Sequence, residues 1–174
     1  MEIITGYRGQ PHLTSEKERR LIRGILGSDS VVLNTGRKLE AQVITNTKVR
    51  IYDGDLIQQG ALGGINKGSY DDVVISSGQS GYNRIDLICC QYKKDSSSKI
   101  ESMQLVVKRG TPTTGSNPSL PYYSKGDISN GATLDEFPLY QVRLTGYNIT
   151  SVDRVIEARP VLSMADAAYT ESRR

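Results

Sequence analysis

The fold is decided by Gly81-Tyr-Asn-Arg-Ile-Asp-Leu-Ile-Cys-Cys-Gln-Tyr-Lys-Lys-Asp95 and the following Ile100-Glu-Ser-Met-Gln-Leu-Val-Val-Lys-Arg109. The first stretch is rich in apolar residues, and the second alternates apolar and polar residues over its first half, as a half-buried strand does. A polar tip of lysines, an aspartate and three serines joins them. The pattern therefore predicts a long hairpin of two antiparallel strands.

The chain from residue 31 onward has the same β character. Short apolar stretches alternate with turn residues, and no alternation of strands and helices typical of a parallel sheet is present. Asp53-Gly54 predicts a two-residue hairpin turn between strands 48–52 and 55–59. Residues 137–144 read as the last long strand. The fold class predicted is α+β, mainly β: an N-terminal arm and short helix followed by an antiparallel β-sandwich.

One helix is expected, over residues 15–26. Ser15 and Glu18 form an S-x-x-E capping box, and Gly27 is a typical helix stop. A helix of three turns is marginal alone, so its apolar stripe must pack on something. That stripe consists of Leu21, Ile22, Ile25 and Leu26.

Three parts follow from these patterns. Residues 1–30 form an arm and helix used for docking or oligomerisation, residues 31–160 form the β-sandwich domain, and residues 161–174 form a C-terminal tail.

The densest basic group lies on the helix and is interrupted by Glu16 and Glu18, so it is interpreted either as a solvated face or as a surface for an acidic partner. The interface residues predicted are Ile3, Ile4 and Tyr7 of the arm and Arg19, Arg20 and Arg23 of the helix.

Composition favours a subunit that depends on its neighbours. The 174 residues are 37% apolar, with 17 glycines, one phenylalanine and no tryptophan, which predicts a thin core. The net charge of +3 comes without the basic stripe and interleaved aromatic residues of nucleic-acid binders, so no nucleic-acid partner is expected. No signal peptide and no apolar stretch of about 18 residues is visible, so no membrane partner is expected either.

The residues with reactive side chains predict no catalytic site. His12 lies close to Thr14 and Ser15, but nothing resembles a nucleophile elbow. Adjacent Cys89 and Cys90 point to opposite faces of a strand, so both are expected reduced, with at least one facing the core. One histidine and two adjacent thiols cannot complete a tetrahedral zinc site, and no cofactor is expected.

Structural roles are also predicted for carboxylates and tyrosines. The acidic pairs at 71–72 and 135–136 are expected at turns or in solvent, and Arg84 and Asp86, two apart on a strand, are expected to form a lateral ion pair.

Tyrosines outnumber phenylalanine ten to one. Tyr122 and Tyr123, which follow a Pro-rich loop, either pack or form an interface, or stack on sugars.

Several motifs occur in the order found in a known family. They lie at residues 6–15, 23–27, 34–39, 53–60, 84–87, 110–112, 138–142 and 146–150. Together they resemble the virion structural proteins of phages and prophages of Gram-positive hosts, in particular tail or baseplate appendage proteins and the shoulder-like module of receptor-binding proteins. The resemblance runs from Gly6 to about Val155.

The resemblance implies a non-enzymatic virion component, assembled in the host cytoplasm, that serves as a tail-tip or baseplate adaptor or attaches an appendage. The alternatives are a glycan-binding module that recognises a receptor and a head decoration or head-fibre base protein. The implied partners are other virion proteins, further copies of the chain in a homo-oligomer such as a trimer, and, for the glycan-binding alternative, a host cell-surface glycan.

Overall fold

The computed structural model describes residues 13–157, which form one α-helix, eight strands and a short 3-10 helix at Ile128–Asn130. The predicted arm residues Ile3, Ile4 and Tyr7, together with His12 and the tail 161–174, lie outside the described residues. The longer elements are α1 (Ser15–Leu26), β1 (Val31–Val32), β2 (Ala41–Thr45), β3 (Lys48–Gln58), β4 (Ala61–Val74), β5 (Asn83–Lys94), β6 (Glu101–Lys108), β7 (Leu134–Thr145) and β8 (Asn148–Arg154).

The strands form two four-stranded antiparallel sheets. In the first sheet, β4 pairs along one edge of β3, while β1 and β2 pair with successive parts of its other edge. The second sheet has the order β6-β5-β7-β8. The β5–β6 hairpin matches the one predicted from residues 81–109. The predicted α+β, mainly-β class with an antiparallel sandwich is therefore confirmed.

The core lies between the two sheets. Val49 and Ile51 of β3 belong to the same buried cluster as Ile88 of β5 and Val142 of β7. The hydroxyl of Tyr140 crosses this layer and donates a 2.6 Å hydrogen bond to the carbonyl oxygen of Leu39. The two sheets therefore share one apolar interior.

The hairpin predicted at Asp53-Gly54 is wrong. These residues lie inside β3, where the pairing with β4 shifts register between Tyr52 and Gly54. The Asp53 carbonyl accepts hydrogen bonds from the N–H groups of Arg37 and Leu39, so the loop that precedes β2 packs against β3 at this point. A Cβ on Gly54 would lie 2.5 Å from the Leu39 nitrogen, which explains the glycine without a turn.

The actual turn is Gln59-Gly60, whose φ angles of +49° and +88° are those of a two-residue hairpin loop. Glutamine is not among the residues that favour this backbone, so the dipeptide gave no clear signal.

Helix α1 has the predicted bounds but a different cap. Thr14 precedes the first helical residue, and its hydroxyl oxygen accepts a hydrogen bond from the Lys17 N–H at 3.3 Å, so the Ser15 capping box is wrong. Gly27 ends the helix as predicted, with its N–H bound to the Arg23 carbonyl.

The apolar stripe of α1 is only half used within the described chain. Ile22 and Leu26 pack against the small cluster formed by Val31, Leu33 and Ile57. Leu21 and Ile25 are each more than half exposed. The helix therefore docks on the first sheet through one edge of the stripe and presents the other edge outward.

Strand β5 is buried on both faces. Ile88 and Cys90 face the core, while Cys89 on the opposite face is also fully buried. The segment 109–133 returns from β6 to β7 and is tied to the second sheet at Thr113, which pairs with Asn83, and at Ser124, which pairs with Glu136. Both thiols are therefore enclosed.

We expect neither cysteine to react with a thiol reagent in the native protein at about pH 8. Burial raises the pKa of the Cys89 and Cys90 thiols to about 12, so the reactive thiolate is scarce. Absorbance with a disulfide reagent measures this, and two equivalents should react at once after unfolding in guanidinium. Prompt reaction of either thiol in the folded chain would contradict the buried arrangement.

Candidate interaction surfaces

Arg19 fastens α1 to the second sheet. Its side chain is nearly buried, and Nη1 donates a 2.8 Å hydrogen bond to Oε2 of Glu101 at the start of β6. The other carboxylate oxygen accepts from the Tyr92 hydroxyl at 3.0 Å. Burial raises the pKa of Glu101, but donation from Arg19 and Tyr92 lowers it more, so the carboxylate stays charged near neutral pH.

The other two predicted arginines differ in their surroundings. Arg23 donates from Nη1 to the Ser129 hydroxyl and, at 3.5 Å, to the Gln59 carbonyl. Arg20 is exposed on the outer side of α1. Two of the three guanidinium groups are thus bound within the chain, and their assignment to an interface stays a prediction.

Removing the Arg19 side chain is expected to loosen α1. Arg19→Ala leaves Glu101 without its strongest partner and should cost about 1–3 kcal/mol. Because the sandwich keeps its own core, amide hydrogen exchange should accelerate in residues 19–26 far more than in β5. Arg20→Ala, one residue away and exposed, is the control and should leave exchange unchanged. Equal exchange in both variants would show that the Arg19–Glu101 pair does not hold the helix.

Four exposed apolar side chains surround α1 and form what we term the α1 patch: Leu13, Leu21, Ile25 and Leu62. Each is more than half exposed. Leu13, Leu21 and Leu62 line one groove between the helix and the start of β4, and Ile25 lies one turn beyond Leu21. Apolar side chains gathered this way on a surface mark interaction sites.

Tyr123 lines a second groove, which we term the tyrosine groove, and Tyr122 precedes it in the chain. Tyr122 is 82% exposed, whereas Tyr123 lines the groove with the Lys125 ammonium 5.2 Å from its ring centre. The cavity has a volume of about 750 Å³, and its wall also includes Asp29, Phe137, Val155 and Glu157. The two adjacent tyrosines therefore have different environments.

The acidic pair Asp135 and Glu136 holds the segment that follows Tyr122 and Tyr123. The sequence had predicted this pair at a turn or in solvent. That expectation is wrong for Asp135 and Glu136, which are both buried. Glu136 accepts the Ser124 N–H at 2.7 Å and the Lys108 ammonium at 3.0 Å. Asp135 accepts the Gly126 N–H at 2.9 Å. The sequence feature that indicated their burial was the position of this acidic pair between the apolar residues at 134 and 137.

The Glu136 carboxylate should make the fold sensitive to acid. Burial raises its pKa, but donation from Ser124, Gln91 and Lys108 lowers it below the ordinary 4.5. Since the folded pKa is the lower one, this stabilisation is complete above about pH 4.5 and is lost as the pH falls through the folded value. Urea midpoints between about pH 7 and pH 3 should fall more steeply for the native protein than for Glu136→Gln. Parallel pH profiles would contradict this assignment.

The outer face of the first sheet carries stacked arginines and tyrosines. The Arg37 guanidinium lies 3.3 Å from the centre of the Tyr52 ring, and that of Arg50 lies 3.5 Å from the centre of Tyr70. Arg50 also binds Asp72, with Nε donating to Oδ1 at 2.7 Å. These contacts support β3 and β4 beside their register shift, so we assign the face a structural role.

Within residues 13–157, no group of three or more histidine, cysteine, aspartate or glutamate side chains is placed to hold a metal ion. No described helix is long and apolar enough to span a membrane. No family model and no curated protein matches the chain. The α1 patch and the tyrosine groove are the two candidate interaction surfaces of the described residues.

Proposed function

We propose that this chain is a non-enzymatic structural component of a phage virion, used in the tail tip or baseplate to attach an appendage. The observation that carries the proposal is the α1 patch. Its four leucine and isoleucine side chains would be covered in an assembly, and such patches on a sandwich domain favour a part built into a larger particle. The motifs that resemble those of phage virion proteins, and that occur in the same order, indicate that this particle is a phage virion.

The attachment of the patch to the sandwich supports an adaptor role. Arg19 lines the same groove as the three leucines of the patch and is bound to Glu101. Ile22 and Leu26 pack against the first sheet. A partner that binds the outer side of α1 would therefore be connected to the sandwich through the Arg19–Glu101 ion pair and through the apolar packing of the helix on the first sheet. Mechanical coupling of this kind suits a connecting part.

Quantitative mass spectrometry of particles purified from cells that express the gene tests the proposal. We expect the chain in a fixed ratio to the major tail protein, and its loss when residues 1–11 are deleted while the sandwich stays folded. A capsid-free lysate fraction is the control. Abundant protein in that fraction with none in purified particles would overturn the proposal.

Receptor glycan binding is the second candidate, and the high exposure of Tyr122, the chain neighbour of groove-lining Tyr123, favours it. A free tyrosine ring can stack on a sugar, and the groove offers polar groups for its hydroxyls. Purified protein on a glycan array should then bind saturably, and Tyr122→Ala should abolish binding. Tyr147→Ala, which removes another well-exposed tyrosine remote in sequence, should have no effect. A blank array would exclude this candidate.

A further inference from the structure

Three polar side chains meet in one row on the outer face of the second sheet. Gln91 of β5 lies opposite Gln104 of β6 and Glu136 of β7. Gln104 Nε2 donates a 3.1 Å hydrogen bond to the Gln91 carbonyl oxygen, and Gln91 Nε2 donates a 2.8 Å hydrogen bond to Glu136 Oε1. The primary amide of Gln91 is therefore held in one orientation, with a donor at its oxygen and a carboxylate at its nitrogen.

Lys108 brings an amine to the same carboxylate. It lies four residues after Gln104 on β6, so its side chain is on the same face of the strand. Lys108 Nζ donates a 3.0 Å hydrogen bond to Glu136 Oε1, the oxygen atom that also accepts from Gln91. Two nitrogen atoms bound to one oxygen lie at most about 6 Å apart, and the lysine stem is flexible. Rotation of that stem can therefore bring Nζ to the Gln91 carbonyl carbon.

The surroundings favour the lysine as the nucleophile. The Glu136 side chain is fully buried, and its other oxygen accepts the Ser124 N–H at 2.7 Å, which restricts the access of water. Cys89 lies two residues before Gln91 on the same face of β5. Burial raises the pKa of the Cys89 thiol to about 12, so its reactive thiolate is scarce. An amine bound to a buried carboxylate is thus the better placed group to attack the amide.

We infer that Lys108 and Gln91 form an isopeptide bond that joins β6 to β5, with Glu136 as the catalytic residue. Glu136 takes a proton from Nζ, and the freed amine attacks the Gln91 carbonyl carbon. The carbonyl electron pair moves onto Oε1, where the Gln104 amide stabilises the negative charge. Glu136 then relays the protons lost by Nζ to Nε2. The carbonyl re-forms, the bond from its carbon to Nε2 breaks, and this nitrogen leaves as an ammonium ion.

The bond would fasten an edge strand. Among the described strands, β6 lies at the edge of the second sheet and pairs with β5, and its Glu101 holds Arg19 of α1. A covalent link from Lys108 to Gln91 keeps β6 from separating from β5 when α1 is pulled. The inference goes beyond the proposed function and does not rest on it, because it follows from the geometry of the second sheet.

Mass spectrometry of the purified full chain, incubated until its mass no longer changes, tests the inference. Loss of ammonia should leave the intact chain about 17 Da lighter than its sequence requires. Trypsin should fail to cut after Lys108, and peptides 85–93 and 100–109 should appear as one cross-linked species. Lys108→Arg keeps a cation beside Glu136 but removes the amine, so this variant should have the full mass. Glu136→Gln removes the proton carrier and should have the full mass as well.

Lys94→Arg is the matched control. Lys94 lies in the same hairpin, 3.5 Å from Glu101, whose carboxylate binds Arg19 and Tyr92. This variant should therefore keep the mass deficit of the native chain, and circular dichroism checks that all three variants remain folded. A native chain of full mass would overturn the inference. A deficit confined to peptide 85–93 would indicate a thioester between Cys89 and Gln91 and would overturn it too, as would a deficit that persists in Lys108→Arg.

Discussion

Replacing Arg84 with methionine is expected to destabilise the fold by about 3–5 kcal/mol, a large part of the stability of a domain of this size. Arg84 donates from Nε and Nη2 to the two oxygens of Asp86 at 2.8 and 3.0 Å, and its Nη groups also bind the Ser76 and Ser77 carbonyls. Asp86 is fully buried. Arg84→Met would leave this carboxylate without a counter-charge in the interior.

An exposed pair of the same geometry provides the control. Arg50 binds Asp72 with two hydrogen bonds of 2.7 and 3.0 Å, but on the solvent-facing side of the first sheet. Arg50→Met should cost no more than about 1 kcal/mol, because water replaces the lost donors. Urea denaturation at neutral pH measures both variants. Equal losses would show that burial does not set the importance of the Arg84–Asp86 pair.

Gly110→Ala should produce the second large loss, about 3 kcal/mol, at the upper end of the range for overpacking. A Cβ at this position would lie 2.0 Å from the Ile85 carbonyl oxygen, which is backbone and cannot rotate away. The required shift would also disturb the 2.8 Å hydrogen bond from the Gly110 N–H to Asp86. The variant therefore strains the attachment of segment 109–133 to β5.

Gly115→Ala in the same segment is the matched control. Its Cβ would meet only the Thr113 hydroxyl at an ordinary 3.5 Å, so stability should change by less than about 0.5 kcal/mol. Thermal unfolding of the two variants beside the native chain gives the comparison. A Gly110→Ala protein as stable as Gly115→Ala would show that segment 109–133 is not held closely against β5.

The sequence predicted those elements whose signal is local. Helix α1 and the β5–β6 hairpin follow from hydrophobic periodicity, and the Arg84–Asp86 pair follows from the period of two along a strand. The turn at Gln59-Gly60 was missed, because its backbone is imposed by the pairing of β3 with β4 and not by turn-favouring residues. The Asp53-Gly54 signal was overridden by a loop that packs against it from elsewhere in the chain.

The surfaces were predicted less well because exposure depends on tertiary packing. Arg19 lies three and seven residues before Ile22 and Leu26, which places it on the docked side of α1, and this spacing could have separated it from Arg20. The split of the apolar stripe into docked and exposed halves depends on where β1 and β3 lie. The burial of Asp135 and Glu136 depends on the return of segment 109–133, which no local pattern specifies.

Immunogold electron microscopy of intact particles tests the virion role most directly. Antibodies against the purified chain should label the tail tip or baseplate of each particle, and particles from a deletion strain should carry no label. Label on the head would move the assignment to a decoration or head-fibre base protein. Unlabelled particles from cells that contain the soluble protein would contradict the virion role.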